Sequence, residues 1–499
     1  MQSSRYVRRF ARPVGRLRPS TRIGILGLIL LLLVSGWASI PWASTSGSGL
    51  GPSSGSALSA SLVPQTTSTN SASVTVAAFS TSLGIPFSFW GVNVEPNQAF
   101  VSSDVKAIDR APVRFVRFPG GILGEELNYT SGIVTDTAGA HSKTAVSVAQ
   151  FIALCRQLHC HAILQLPAEV DAPATAAYYA KYVVHALGFQ PAFWEIGNAV
   201  PGWKHFQVPW SRWGSASGKT VTPTAFATLV RQYIAAVKKV DPAGRFLALG
   251  IGMGAKNYGK PWVETLASAD GHMLAGISVH SYIIGGPSRP TASELFANLR
   301  GSYSLPDQVR ADAGYLRQAC PTCRGLGVYV TEINAAELSS YDQLLPTFAG
   351  TLYLAAETTQ GLALRVPNLD WFCFRCDYPG AWSRSPTDWH AQYYLFADMM
   401  SHLMRRYLPA TLSGPSTFYA VATYAPTTGL ALLLINVNTA NPLSVALGHS
   451  GIRLGATVQR YVWGSATALP VHSWWTTTNS ISVGKESMVL LVAAPAQLT

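Results

Sequence analysis

Four short segments of the sequence place polar side chains directly after apolar, strand-like runs. Two of them contain glutamates, at residues 194–199 (WEIGNA) and 331–334 (TEIN), and the others are residues 117–121 (RFPGG) and 280–282 (HSY). A carboxylate can attack as a nucleophile or exchange a proton, and a neighbouring arginine, histidine or tyrosine can fix its charge and orientation. These segments are candidates for a catalytic site if the fold brings them together.

The elements that would position these segments alternate along the chain between β-rich runs and helical stretches. This alternation is typical of parallel βαβ units, and eight such units predict a closed (β/α)8 barrel of the TIM type over residues 73–405. In such a barrel the carboxyl ends of the strands meet at one mouth, where the four segments would converge. The predicted strands are residues 87–94, 113–118, 161–166, 192–196, 246–249, 276–282, 326–331 and 369–374.

The pattern changes after residue 405. Residues 406–499 contain short strands separated by turns and no helical period, which predicts an antiparallel β-sandwich domain. Within it, residues 431–438 and 443–447, on either side of Asn441-Pro442, resemble a hairpin. The predicted fold class is therefore α/β, a TIM barrel followed by a β-sandwich. A composition of 48% hydrophobic and 12% charged residues is sufficient for a large core.

The RFPGG and WEIGN motifs, together with Glu332, resemble glycoside hydrolase clan A, in particular its heparanase and β-glucuronidase-like branch. The two motifs are also similar to those of the retaining arabinofuranosidases. The resemblance covers roughly residues 75–499. It implies retaining cleavage by two carboxyl groups about 5–5.5 Å apart, one a nucleophile and the other a general acid/base. Glu332 matches the nucleophile and Asn198 a ligand of a sugar hydroxyl. Glu332 as a carboxylate buried for stability and Asn198 as a loop cap are the simpler alternatives.

Ala199 departs from the pattern of the family. The resemblance implies a glutamate directly after Asn198, and a methyl group cannot donate the proton that the leaving group requires. General acid/base help contributes about 10²–10⁴-fold to such reactions. A relocated acid/base is one alternative, and the candidates are Glu169 after the third strand, Glu95 after the first strand and His205 in the loop after the fourth.

Four further residues have roles that the resemblance implies. Arg117 would orient the carboxylate of Glu332, Tyr282 would keep it ionised, and His280 would line the same floor. Trp371 on the eighth strand would offer its ring to the apolar face of a sugar. Each also has a purely structural alternative, namely a salt bridge for Arg117 and core packing for the others.

The net charge of +12 is concentrated at the N-terminus. Seven arginines precede any acidic residue, and +5 remains without them; nothing after Arg22 forms a basic run, so the sequence argues against nucleic-acid binding. The basic residues 1–22 and the apolar residues 23–40 predict a signal peptide or a signal anchor. Residues 41–72, rich in serine, threonine and glycine, predict a linker. We therefore expect a secreted or cell-surface protein, membrane-bound if the segment is uncleaved.

Six cysteines occur as three close pairs, Cys155/Cys160, Cys320/Cys323 and Cys373/Cys376. In an exported chain an even count favours disulfides. The alternative, a zinc site formed by the two C-x-x-C pairs, is disfavoured because they lie about fifty residues apart. No metal cluster with convincing ligand spacing, phosphate-binding loop or GxSxG motif occurs in the sequence, so no metal or other cofactor is predicted.

Three functions fit these features. The first is a glycosidase that acts on an extracellular oligo- or polysaccharide, β-linked or containing uronic acid, through a relocated proton donor. The second is a catalytically impaired glycan-binding protein that keeps the cleft. The third is a cell-surface spacer that binds nothing. The sequence does not fix sugar identity, linkage or oligomeric state.

Overall fold

The computed structural model describes residues 70–498 apart from a set of internal gaps. The predicted basic segment, the signal peptide or anchor and nearly all of the predicted linker lie outside the described residues. The gaps are residues 98, 101, 136–140, 145, 170, 201–220, 253–258, 285, 302–303, 338–339, 377–380, 386–387, 404, 450–453 and 465–468.

Eight parallel strands close into a barrel and neighbour one another in chain order, which confirms the predicted architecture. They are β1 (Trp90–Asn93), β2 (Phe115–Phe118), β3 (His161–Leu166), β4 (Phe193–Ile196), β5 (Phe246–Gly252), β6 (Gly276–Ile284), β7 (Gly327–Glu337) and β8 (Leu369–Trp371).

Helices connect the strands and cover the outside of the barrel. The helix Val148–Gln157 begins at a capping box, in which the Ser147 side chain accepts from the Gln150 backbone and the Gln150 side chain accepts from the Ser147 backbone. The main helices are α1 (Ser102–Arg110), α2 (Val148–Gln157), α3 (Pro173–Lys181), α4 (Pro223–Lys238), α5 (Lys260–Asp270), α6 (Leu305–Ala319) and α7 (Phe348–Leu364), and shorter ones span Leu123–Glu126, Ala292–Ala297 and Ala391–Tyr394.

The barrel strands are buried on both faces, which explains their nearly continuous apolar sequences. Three polar side chains interrupt these runs: Arg117 on β2, Gln165 on β3 and Glu195 on β4 are all 0% exposed. A buried charge is tolerated only when it is paired and hydrogen-bonded. These residues therefore mark a polar network inside the barrel.

The second domain is a sandwich of two sheets, as predicted. The four-stranded sheet has Ser71–Val76 in its interior, antiparallel to Ala410–Ser413 on one side and parallel to Leu443–His449 on the other. The other sheet is antiparallel, and its strands in spatial order are Leu83–Gly84, Arg406–Leu408, Phe418–Ala425, Gly429–Asn436, Ser487–Ala493, Thr457–Gly464 and Val471–Thr476.

Two details of the sandwich differ from the sequence prediction. Residues 73–76, assigned to the beginning of the barrel, form a sandwich strand instead. The predicted hairpin is wrong, because Gly429–Asn436 pairs with Phe418–Ala425 and Ser487–Ala493, whereas Leu443–His449 lies in the other sheet. The Asn441-Pro442 connection therefore crosses between the sheets.

The strand Gly429–Asn436 joins the two domains through its two faces. Leu432 and Leu434 pack into the core between the sheets, whereas Leu433 and Ile435 belong to the same hydrophobic cluster as the barrel and its helices. Successive side chains on a strand point to opposite faces. Both faces are thus covered, and all eight residues of the strand are buried.

Each predicted cysteine pair forms a local disulfide, which confirms the expectation. The Cα atoms lie 5.0 Å apart for Cys155–Cys160, 5.3 Å for Cys320–Cys323 and 6.3 Å for Cys373–Cys376. The second and third pairs are C-x-x-C turns.

Candidate active site

Arg117, at the carboxyl end of β2, is the centre of the polar network. Its Nε donates to Glu195, its Nη1 donates to Glu332 at 2.5 Å and to Asn93 at 3.0 Å, and its Nη2 donates to Asn198 at 2.7 Å. Burial alone would lower the pKa of Arg117, but the carboxylates of Glu195 and Glu332 outweigh it and hold the pKa above its ordinary value. One guanidinium thus links β1, β2 and β7 with β4 and the turn that follows it.

Glu332 lies on β7 beside His280 of β6 and is 5% exposed. The Tyr282 hydroxyl donates to its Oε2 at 2.8 Å, and the backbone N–H of Gly121 also donates to the carboxylate. Burial raises the pKa of Glu332, against the opposing effect of Arg117 and these donors. The carboxylate is therefore held in place by a cation and two neutral donors.

His280 is an uncharged neighbour of this carboxylate. Its Nδ1 lies 3.4 Å from Glu332 Oε2. Burial, followed by the positive charge of Arg117, lowers the pKa of His280 to about 3. A neutral imidazole at this distance adds no second positive charge, so Arg117 is the cation that the structure shows against Glu332.

The tight turn after β4 carries Ala199. Ala199 has φ +50° and its N–H donates to the Gly250 carbonyl at 2.6 Å. A Cβ on Gly250 would lie 2.9 Å from the Asn198 Cα, so only glycine allows β5 to approach the turn. The turn presents the Asn198 side chain to Arg117 and a methyl group at the next position.

Glu169 lies in the loop after β3 and is mostly buried. Burial, with a smaller contribution from Glu126, raises the pKa of Glu169 to about 7. Its backbone N–H donates to Glu125 Oε2 at 2.8 Å, and the Ala168 N–H donates to the same oxygen at 2.7 Å. Glu125, which the sequence analysis missed, therefore fixes the loop that carries Glu169.

Glu95 follows β1 and approaches the site from the side of Gly121. A Cβ on Gly121 would lie 3.0 Å from Glu95 Oε1 and 3.3 Å from the Phe372 ring. Because the Gly121 N–H also binds Glu332, both carboxyl groups lie beside the same glycine. His205, the third candidate for a relocated acid/base, lies outside the described residues.

The structure contradicts the stacking role predicted for Trp371. Its side chain is 1% exposed and its ring centroid lies 3.8 Å from that of Phe396, so it belongs to the core. The next residue, Phe372, is half-buried, and its ring centroid lies 6.5 Å from that of Tyr282. Phe372, directly after β8, is an aromatic residue beside the polar network, and the sequence analysis missed it.

The structure thus brings together five of the predicted site residues, namely Arg117, Asn198, His280, Tyr282 and Glu332. It places Glu95 beside them and Glu169 on the adjacent loop.

Comparison with curated proteins gives a partial match in sequence. The chain is 24% identical to an intracellular exo-α-L-arabinofuranosidase of Bacteroides ovatus over a 205-residue alignment that covers 38% of this chain. The match spans 39% of the length of that relative. No protein-family model matches the chain.

Solved structures match over much more of the chain. A family 51 arabinofuranosidase of Xanthomonas axonopodis pv. citri superposes with a TM-score of 0.68 at 16% identity, covering 85% of this chain and 100% of that one. An α-L-arabinofuranosidase of Thermotoga maritima gives 0.69 at 15% identity with the same coverages. The fold is that of the family 51 arabinofuranosidases.

A family 44 xyloglucanase of Paenibacillus polymyxa shares the fold more distantly, with a TM-score of 0.65 at 11% identity over 85% of this chain and 100% of that one. The comparisons support the clan A fold that the motifs suggested. The heparanase and β-glucuronidase-like branch is not shown by these matches, which include arabinofuranosidases and a xyloglucanase.

The expected location of the protein needs correction. The prediction of an extracellular or cell-surface protein is contradicted by the Bacteroides ovatus relative, which is described as intracellular. Among the residues that the structure describes, no helix combines the length and apolarity needed to cross a bilayer.

Proposed function

We propose that the chain is a retaining glycoside hydrolase that acts on an oligo- or polysaccharide, with Glu332 as its nucleophile. One observation carries the proposal: a carboxylate at the barrel mouth shares the guanidinium of Arg117 with Asn198, the residue expected beside the scissile bond. The shared fold makes α-L-arabinofuranosides the first substrates to test.

In this mechanism the ionised Glu332 attacks the anomeric carbon and becomes covalently glycosylated. Arg117 and Tyr282 orient its oxygens, and the neutral His280 leaves this charge balance unchanged. Because burial raises the pKa of Glu332, the ionised fraction falls on acidification at a higher pH than for an exposed glutamate. We therefore expect the glycosylation rate to fall on the acid side through this group.

Ala199 leaves no carboxyl group at the position where the resemblance implies the proton donor. We assign the role of proton donor to Glu169. With a pKa of about 7, Glu169 retains its proton in mildly acidic solution, as a general acid must. Glu125 holds the backbone of its loop in place. Glu95, beside Gly121, and His205 are the alternatives.

A second candidate function is glycan binding without turnover. Ala199 favours it, because the turn that ends in this residue is otherwise fully formed and lacks only the carboxyl group. The two functions share the cleft and Glu332 and differ in whether a natural leaving group is protonated.

Glycosides with and without a good leaving group separate these functions. The chain is incubated with dinitrophenyl α-L-arabinofuranoside and a panel of other dinitrophenyl glycosides, and the peptide that contains Glu332 is examined by mass spectrometry. A dinitrophenolate leaves without a proton, so either function glycosylates Glu332. The reaction is quenched in acid before water releases the sugar, and Glu332→Gln abolishes the label. Glu264→Gln, on the outer helix α5, is the matched control.

Natural linkages then decide between the two. With Glu169 as the donor, Glu169→Gln lowers turnover of an unactivated arabinoside by about 10²–10⁴-fold and removes the basic limb of the pH profile near 7. If Glu95→Gln or His205→Ala causes this loss of turnover and Glu169→Gln does not, that residue is the proton donor instead. Glycan binding without turnover is the answer if unactivated substrates bind, stay intact and are cleaved only after Ala199→Glu. Unlabelled Glu332 with every glycoside contradicts the nucleophile assignment.

A further inference from the structure

A cluster of soft ligands lies away from the barrel mouth, at the end of α6. Cys320 follows the last residue of this helix and begins a Cys-Pro-Thr-Cys turn. The Cys323 N–H donates to the Cys320 carbonyl at 3.1 Å, and the two cysteines are joined by a disulfide. When reduced, a C-x-x-C turn presents two thiolates on one side, the spacing found at many zinc sites.

A third ligand comes from a different element. His272 lies in the 3-10 turn Gly271–Met273 after α5, and its Nε2 lies 3.8 Å from Cys320 Sγ. The ligand atoms of His272, Cys320 and Cys323 all lie within 4.8 Å of one another. Zinc bonds of about 2.0–2.3 Å place the ligands of a tetrahedral ion roughly 3.3–3.8 Å apart. His272 Nε2 already lies at this distance from Cys320 Sγ. Opening the disulfide would allow the two sulfurs to adopt the same separation.

Gly271 allows this close approach. A Cβ at this position would lie 2.7 Å from Cys323 Sγ and 3.5 Å from Cys320 Cβ. Any other residue would push the backbone that carries His272 away from the cysteines. Gly271 therefore allows the imidazole of His272 to lie against the two cysteines. A disulfide that only closes the turn does not require this contact.

Cys320–Cys323 is also the most accessible of the three disulfides. Cys320 and Cys323 are half-buried and His272 is exposed, whereas the other four cysteines are at most 9% exposed. Arg317 and Arg324 line the same surface groove. Their charges favour the thiolate form of a reduced cysteine, although they also repel a dication. A soluble reductant and a metal ion can reach this pair most directly.

We propose that Cys320, Cys323 and His272 form a redox-gated site for a thiophilic divalent cation such as Zn²⁺. A dithiol or phosphine reductant supplies two electrons that break the S–S bond, and the reductant is itself oxidised. The two thiols then release two protons as their sulfurs bind the cation. His272 supplies the third ligand through Nε2, and solvent supplies the fourth.

Spectroscopic titration of the full chain tests the site, with Co²⁺ as the probe and Zn²⁺ as the competitor. After reduction with a phosphine, and with alkylation and mass spectrometry confirming free thiols at Cys320 and Cys323, we expect one Co²⁺ per chain with a thiolate charge-transfer band. The oxidised chain should show neither. Zn²⁺ should displace Co²⁺ and abolish the band.

Variants identify the ligands. Cys323→Ser should remove the band. His272→Ala should weaken binding at least about tenfold, because loss of even an outer-shell partner of a metal ligand typically costs about 10–100-fold in affinity. His159→Asn is the matched control, because His159 directly precedes Cys160 of another pair and asparagine tolerates its φ of +50°. Equal binding by the oxidised chain, no binding by the reduced wild type, or equal loss in His159→Asn would each overturn the proposal; the comparison of oxidised and reduced wild type requires no variant.

Discussion

At the scale of single residues, the site contains more negative than positive groups. Arg117 faces both Glu195 and Glu332, and the second potential cation, His280, is held neutral by burial and by Arg117. The charge on Glu332 therefore depends on neutral donors as well as on the guanidinium. Of the two neutral donors, Tyr282 donates from its side chain and Gly121 from its backbone.

Replacement of Tyr282 by phenylalanine should show this dependence. A hydrogen bond to a charged group contributes about 1.5–3 kcal/mol, and one pKa unit corresponds to about 1.4 kcal/mol. Tyr282→Phe should therefore raise the pKa of Glu332 further and move the acid limb of aryl glycoside hydrolysis upward by about one unit or more. Tyr407→Phe, on the sandwich strand Arg406–Leu408, is the control. An unmoved acid limb would mean that Tyr282 does not act on the reacting carboxylate.

The sequence predicted which polar residues meet, because each directly ends or follows an apolar strand. Glu332, Arg117, Asn198, His280 and Tyr282 were placed in this way. The same reasoning chose Trp371 instead of Phe372, because the sequence does not show where β8 leaves the barrel and which of two adjacent aromatics turns inward. Glu125 was missed because it lies in a short helix, Leu123–Glu126, beyond any strand end.

At the scale of elements, helix α6 carries a buried carboxyl group that no proposed reaction uses. Asp312 is 8% exposed, and burial raises its pKa from 3.8 to about 7. The folded chain therefore keeps a proton there that the unfolded chain releases above about pH 4. The stability that this group contributes is complete below that pH and is lost as the pH rises to about 7.

Asp312→Asn should remove this pH dependence. Between about pH 4 and 7, one such group lowers the free energy of unfolding by at most about 1.4 kcal/mol per pH unit. Thermal or urea unfolding should show the variant and the wild type alike at pH 4 and the variant more stable at pH 8. Asp109→Asn, at an exposed position on α1, should follow the wild type at both values. A variant less stable than the wild type at pH 8 would show that Asp312 is ionised and paired in the folded state.

The alternation of apolar and polar residues and the length of each run predicted where the strands lie better than which strands pair with each other. The run that contains Gly429–Asn436 is apolar on both faces, so its sequence carries no signal for which neighbour it pairs with. The hairpin prediction relied on the nearby Asn-Pro turn, whereas the pairing depends on contacts with Ser487–Ala493, more than fifty residues away along the chain.

At the scale of the whole molecule, the chain passes through the sandwich before it forms the barrel and then returns to it. Ser71–Val76 lies inside the four-stranded sheet, and Val74 is 0% exposed between the two sheets. The seven-stranded sheet in turn packs on the barrel through residues such as Leu433. Because the two cores share this sheet, we expect the domains to unfold together.

Val74→Ala tests this coupling. Loss of two buried methyl groups and the cavity that remains should destabilise the chain by about 1–3 kcal/mol. The neighbouring Thr75 is exposed, so Thr75→Ala should have a smaller effect and serves as the control. In calorimetry Val74→Ala should lower the temperature of a single transition, because loosening the sandwich also removes support from the barrel face that it covers. Two separated transitions, with the upper one unchanged from the wild type, would show instead that the barrel is stable without the sandwich.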